Sequence, residues 1–139
     1  MAKTVRNLLS GGIIVFKRGS GDPLRILIAD DDPVIQKTMA KLLKKIGFQA
    51  DVVDNGLEAV HALQKQSYDV VFMDVQMPQM DGLQAARAIR DLCPYRCIRI
   101  IAVTGCTRKG DKEMCLQAGM DDYIPKPARY EDVLASLSE

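Results

Sequence analysis

The sequence predicts an α/β fold, a doubly wound parallel sheet of five strands with five helices, and three observations carry that expectation. Short apolar runs alternate with stretches of helical periodicity along most of the 139 residues. The runs end in polar residues where a loop must begin: Asp30, Asp74, Thr104 and, after the last, Lys126. Gly, Pro, Asp and Asn stand between them as turn and capping signals. Strands and helices in strict alternation give right-handed crossovers and a sheet covered on both faces.

Leu24 to Ala29 is the first strand, closed by Asp30, Asp31 and Asp32. Asp32 before Pro33 is an N-cap followed by a first-turn proline, so a helix begins there. Ile35, Met39, Leu42, Leu43 and Ile46 form its apolar stripe, Lys44 and Lys45 suit the negative end of its dipole, and Gly47 stops it. Ala50 to Val53 is the second strand. Asp54, Asn55 and Gly56 open the next helix, with Leu57, Val60 and Leu63 expected on its buried face and His61, the single histidine, beside it as an ordinary surface residue.

Val70 to Met73 is a continuous apolar run, as in a strand buried on both sides, and Asp74 follows directly. Pro78 and Gly82 break the extended run, and Asp81 caps a helix lined by Leu83, Ala86 and Ile89 and ended by Pro94. Ile98 to Val103 is the fourth strand and Thr104 its end. A short helix around Lys112 to Ala118, closed by Gly119, precedes the fifth strand at Tyr123 and Ile124. Pro125, Lys126 and Pro127 lead into a final helix, Arg129 to Leu137, with Val133, Leu134 and Leu137 inward.

Composition narrows the function classes. Lys+Arg 19 against Asp+Glu 18 leaves a net charge of +1, with no basic field for nucleic acid. No apolar run is long enough to span a membrane. Cys93, Cys97, Cys106 and Cys115 are expected as reduced thiols of a cytoplasmic protein. Residues 1–23 differ in kind: two short apolar runs and a Gly-Ser-Gly-Asp-Pro stretch read as an extension or flexible linker before a domain at 24–139. An arm, the remnant of a longer chain and one added strand all fit those residues.

In an open parallel sheet, ligands bind beyond the carboxyl ends of the strands. Asp30, Asp31, Asp74, Thr104 and Lys126 therefore converge on one edge as three carboxylates, a hydroxyl and an ammonium. Crowded carboxylates repel, and a cation relieves them; oxygen donors suit Mg²⁺. An ionised aspartate needs no general base to attack phosphorus, so Asp74 is a candidate nucleophile.

Four blocks then carry a family resemblance: residues 26–33, Ile-Leu-Ile-Ala-Asp-Asp-Asp-Pro; residues 73–82, Met-Asp-Val-Gln-Met-Pro-Gln-Met-Asp-Gly; Ala-Val-Thr-Gly at 102–105; and Lys126 with Pro127. In this order and spacing the chain resembles a response-regulator receiver of two-component phosphorelays from about Leu24 to Ser138. The resemblance implies a flavodoxin-like sheet of strand order 2-1-3-4-5. It also implies Asp74 as phosphoacceptor, Asp31 and Asp74 as direct Mg²⁺ ligands, Asp30 as a ligand through water, and the Gln76 carbonyl as another protein ligand. Thr104 and Lys126 would contact the phosphoryl group, and Thr104 with Tyr123 would form the switch. Implied partners are a histidine kinase or histidine phosphotransfer protein as donor, and an effector on the face of the fourth helix, fifth strand and fifth helix.

Gly-Met-Asp-Asp-Tyr at 119–123 is similar to receivers attached to hybrid histidine kinases. Gly105 departs from the family's usual alanine, and Ala128 from its larger apolar residue. Two other readings fit parts of the chain. Asp30, Asp32 and Val34 match the nucleophile motif of haloacid-dehalogenase-type phosphatases, but Asp121 and Asp122 precede Lys126 in the wrong order, and Asp74 would be idle. A receiver fold used only as a phosphorylation-independent binding module is the third possibility.

Overall fold

The computed structural model describes residues 5–8, 14–17, 23–92, 98–105 and 110–137. Its strands are β1 (Val5–Leu8), β2 (Ile14–Lys17), β3 (Ile26–Ala29), β4 (Ala50–Val53), β5 (Val70–Asp74), β6 (Arg99–Thr104) and β7 (Asp122–Pro125). Its helices are α1 (Pro33–Ile46), α2 (Gly56–Lys65), α3 (Gly82–Leu92), α4 (Asp111–Gln117) and α5 (Tyr130–Leu137). Strands β3 to β7 form one parallel sheet in the order β4-β3-β5-β6-β7. Counted within that sheet the order is 2-1-3-4-5, as the resemblance implies. In the amino-terminal segment, β1 and β2 pair antiparallel in a separate two-stranded sheet, from Val5 with Lys17 to Leu8 with Ile14.

Local chemistry sets the helix ends. The Asp32 carboxylate accepts from the Val34 amide at 2.9 Å, and Gly47, at φ 114°, ends α1 in the left-handed region that glycine adopts without a side-chain clash. Asn55 accepts from the Glu58 amide at the start of α2. Asp81 and Gln84 cap α3 reciprocally, each side-chain oxygen accepting from the other's amide.

The sheet divides the interior into two apolar layers. Met39 and Leu43 of α1 and Val133 and Leu137 of α5 cover one face, over Ile26, Ile28, Phe72 and Ile101. The other face carries α2 and α3, with Leu63, Ala86 and Ile89 over Leu27, Val71 and Ile100. All five residues of β5 are buried, so the central strand sees no water on either side. Each large side chain taken fully inside contributes about 1.5–3 kcal/mol.

One sequence expectation is corrected. The buried stripe of α2 is Gly56, Ala59, Val60 and Leu63, whereas Leu57 is exposed. Helical spacing of three and four residues puts Ala59 inside, and Leu57 lies outside that arc. His61 is exposed, as expected. Buried Ser136 was not anticipated on α5; its hydroxyl is satisfied by the Val133 carbonyl at 2.7 Å. Cys93, Pro94, Cys97 and Cys106 lie outside the described residues, while Cys115 is a buried free thiol.

Glycines fix how closely loop and strand approach. A Cβ at Gly82 would sit 2.2 Å from the Asp74 carbonyl oxygen, a backbone atom that cannot step aside. At Gly105 a Cβ meets none of the described residues within 4 Å. Gly82→Ala is therefore expected to cost about 3 kcal/mol or more in denaturant unfolding, and Gly105→Ala less than about 0.5 kcal/mol; equal effects would contradict this packing.

Candidate functional site

Parallel register brings the strand ends to one edge. Ala29 pairs with Met73, Asp74 with Val103 and Thr104 with Pro125, so the residues that leave the sheet together are those singled out by sequence. Asp30, Asp31 and Asp74 each offer a carboxylate oxygen, and the three oxygens lie within 4.8 Å of one another. Asp30 and Asp74 are buried, at 2% and 6% exposure, and Asp31 is exposed. The Lys126 ammonium donates to Asp30 Oδ2 at 3.0 Å and to Asp74 Oδ1 at 3.2 Å. One cation thus serves two buried anions.

The backbone holds this geometry. The Lys126 amide donates to the Thr104 carbonyl at 2.9 Å, extending the β6–β7 ladder one residue into the site. The Asp32 amide donates to Asp30 Oδ1 at 2.9 Å, and the Gln76 amide to Asp74 Oδ1 at 3.3 Å. Thr104 is buried at the end of β6. Gln76 is exposed on the loop after β5. Tyr123 is half-buried in β7, opposite Ala102 of β6 and packed at the margin of the α2–α3 layer.

Electrostatics follow from the crowding. Burial, and then the neighbouring Asp30 charge, push the Asp74 carboxyl above the usual carboxylate range, with Lys126 and the Gln76 amide pulling against them. For Lys126, burial acts to lower the pKa; the hydrogen bond to Asp30 and the charges of Asp74 and Asp30 overcome it and raise the value. The ammonium stays charged. The donor set suits a small hard cation: three carboxylates of which one faces solvent, with the remaining coordination left to water and carbonyls. Mg²⁺ fits these residues.

A cavity of 580 Å³ opens beside the carboxylates. Asp31, Gln76 and Thr104 line its polar side, and Met77, Leu83 and Met114 its apolar side. One residue that the sequence did not single out also reaches the site. The Gln36 side-chain amide on α1 donates to the Asp30 carbonyl and, at 2.8 Å, to Asp54 Oδ1. The partners lie 6 and 18 positions away in the chain, and no motif spacing announces them.

Comparison with known proteins agrees with this architecture. The family model for the response regulator receiver domain matches residues 26–138. The chain is 39% identical over 124 residues to hybrid signal transduction histidine kinase B of Dictyostelium discoideum, a match that takes in 81% of this chain and 6% of that protein. Among solved structures, the receiver domain of a Pseudomonas aeruginosa sensor histidine kinase, with a magnesium ion coordinated in its active site cleft, superposes with a TM-score of 0.76 at 37% identity, covering 83% of this chain and 94% of that one. The receiver domain of a Saccharomyces cerevisiae response regulator, co-crystallised with a histidine phosphotransfer signaling protein, gives 0.77 at 26% identity, covering 83% and 86%.

The raised Asp74 pKa fixes the sign of a stability effect. The folded protein keeps this proton to higher pH than the unfolded chain does, so wild-type stability falls as pH rises from the ordinary carboxylate range through the raised value. Without added metal at pH 7, Asp74→Asn is expected to be more stable than wild type, the advantage vanishing in acid. Thermal denaturation across pH checks it; an Asn variant less stable at neutral pH would reverse the electrostatic argument.

Proposed function

The chain belongs to the response regulator receiver family of two-component signalling, and on that premise we propose that Asp74 is the acceptor of a phosphoryl group delivered by a phosphohistidine. The observation that carries this reading is the shared Lys126 ammonium, 3.0 Å from Asp30 and 3.2 Å from Asp74 on the edge where Asp31 also projects. An Asp74 oxygen attacks phosphorus, the phosphorus–nitrogen bond of the donor breaks, and the imidazole leaves with that electron pair. The product is an acyl phosphate on Asp74. Water attack on it later returns the carboxylate, so the domain's own chemistry is limited to gaining and losing this group.

Asp30, Asp31 and Asp74, with the Gln76 carbonyl, would hold Mg²⁺, which when bound offsets the carboxylate charge and binds phosphoryl oxygens. Lys126 neutralises the other side of the incoming group, and the Thr104 hydroxyl donates to one of its oxygens. Asp74 is nucleophilic only when ionised, and Lys126 favours that form, offsetting part of the burial and the Asp30 charge that oppose it. A cytoplasmic setting accords with the free Cys115 thiol.

Donor and listener follow from the same reading. A histidine kinase or histidine phosphotransfer protein supplies the phosphoryl group. The effector binds the face of α4, β7 and α5, where Met114, Leu116 and Tyr130 are exposed. Thr104 and Tyr123 couple the two: once the hydroxyl turns to the phosphoryl group, the aromatic ring takes an inward position and the face changes affinity.

Incubation with Mg²⁺ and acetyl phosphate is expected to add one phosphoryl group by intact mass, labile to hydroxylamine and absent without Mg²⁺ or in Asp74→Asn. Phosphorylation that persists in the Asn variant would move the acceptor elsewhere. No adduct on a protein that demonstrably binds Mg²⁺, even from a phosphohistidine donor, would leave a binding module. Thr104→Ala is expected to keep Mg²⁺ affinity within about twofold while losing the phosphorylation-dependent NMR shifts of Tyr123; collapse of metal binding would contradict the role given to the hydroxyl.

A further inference from the structure

The two loops that carry the carboxylates are tied together at a distance from them. Among Asp30's polar atoms, the amide donates to the Val53 carbonyl at 3.2 Å, Oδ1 accepts from the Asp32 amide, Oδ2 accepts from Lys126, and the carbonyl accepts from Gln36. The Gln36 bond differs from the others in what it connects. The same amide nitrogen donates to Asp54, on the turn between β4 and α2. Both partners are pure acceptors, so the NH₂ end of the side chain must face them, and its two hydrogens match the two oxygens.

From Asp54 the connection continues. The Asp54 amide donates to Glu58 at 3.0 Å, fixing the turn to the first coil of α2. The Gly56 amide, two residues on, donates to the Met80 carbonyl at 3.1 Å, on the loop that follows Asp74. That contact admits no side chain, since a Cβ on Gly56 would stand 2.4 Å from the Met80 oxygen. The Gly82 amide then returns to the Val75 carbonyl at 2.8 Å, next to Asp74 itself. Hydrogen bonds joined by two-residue stretches of backbone thus connect the Asp30–Asp31 loop to the Asp74 loop by way of the α2 turn.

We propose that Gln36 is a positioning residue of the metal and phosphoryl site: by clamping the Asp30 carbonyl to the α2 turn, it sets the spacing of the two carboxylate loops. The proposal rests on the Mg²⁺-dependent receiver reading above. Gln36 touches neither the metal nor the phosphoryl group, and acts through Asp30 and Asp31. Groups that orient ligands in this way commonly matter about 10- to 100-fold in metal affinity. Its half-buried position on α1 allows replacement without opening the core.

The test is a Mg²⁺ titration of the whole chain followed by backbone amide NMR, with unfolding measured alongside. Gln36→Leu, which removes both donors, is expected to weaken Mg²⁺ binding about tenfold. Gln36→Glu, which sets a third acceptor against two, is expected to weaken it further. Gln36→Arg, which restores donors to both oxygens, is expected to return affinity to within about threefold of wild type. Leu and Glu variants that lose stability but bind Mg²⁺ as wild type does would overturn the proposal and leave the receiver reading intact, as would an Arg variant no better than Leu. A wild-type protein that binds no Mg²⁺ would overturn both.

Discussion

Two buried carboxylates sharing one ammonium is the constraint around which the described domain is arranged. Asp30 and Asp74 repel, and each is taken out of water, so the fold tolerates them only with Lys126 between them. That ammonium comes from the far end of the chain, beyond β7. It arrives in place because the Lys126 amide continues the ladder with Thr104, which in turn requires β6 to lie between β5 and β7. Sheet order is thereby coupled to charge balance. A domain that failed to assemble its last strand would leave two anions uncompensated in its interior.

The same arrangement explains why the chemistry sits at an edge rather than in a cavity of the core. Parallel strands release their carboxyl ends together, and the residues one step beyond them are held by backbone ladders yet point out of the apolar layers. Asp30 follows β3, Asp74 ends β5, Thr104 ends β6 and Lys126 follows β7. Fully buried β5 carries Asp74 at its end, packed by α2 and α3 on one side and by α1 and α5 on the other. Among the described residues, no helix is long and apolar enough to cross a membrane.

What was legible in the sequence was whatever depends on neighbours in the chain. Asp32 with Pro33, Asn55, Asp81 and Gly47 mark helix ends by local hydrogen bonding, and the structure has them doing so. Asp30, Asp31, Asp74, Thr104 and Lys126 could be gathered into one site because strand ends in a parallel sheet share an edge whatever their separation along the chain. Leu57 was misjudged since a large apolar residue outweighs a small one in any pattern, while Ala59 holds the inward position. The pairing of β1 with β2 also lay beyond local reading, because the apolar runs of residues 1–23 fit an arm, the remnant of a longer chain and one added strand alike. Gln36 was silent for a stronger reason. An amide in mid-helix acquires meaning only from acceptors brought to it by two other loops.

The close approach at Gly82 bears on how such a domain can move. With the first turn of α3 packed against the Asp74 carbonyl, the wall of the site on that side has no slack, and a displacement of the Asp74 loop would carry the helix with it. At Gly105, by contrast, a Cβ would meet none of the described residues within 4 Å. Among the described residues, the site is therefore tight where α3 meets the Asp74 loop and roomier at Gly105, so a group added at the carboxyl edge meets its backbone limit first on the α3 side.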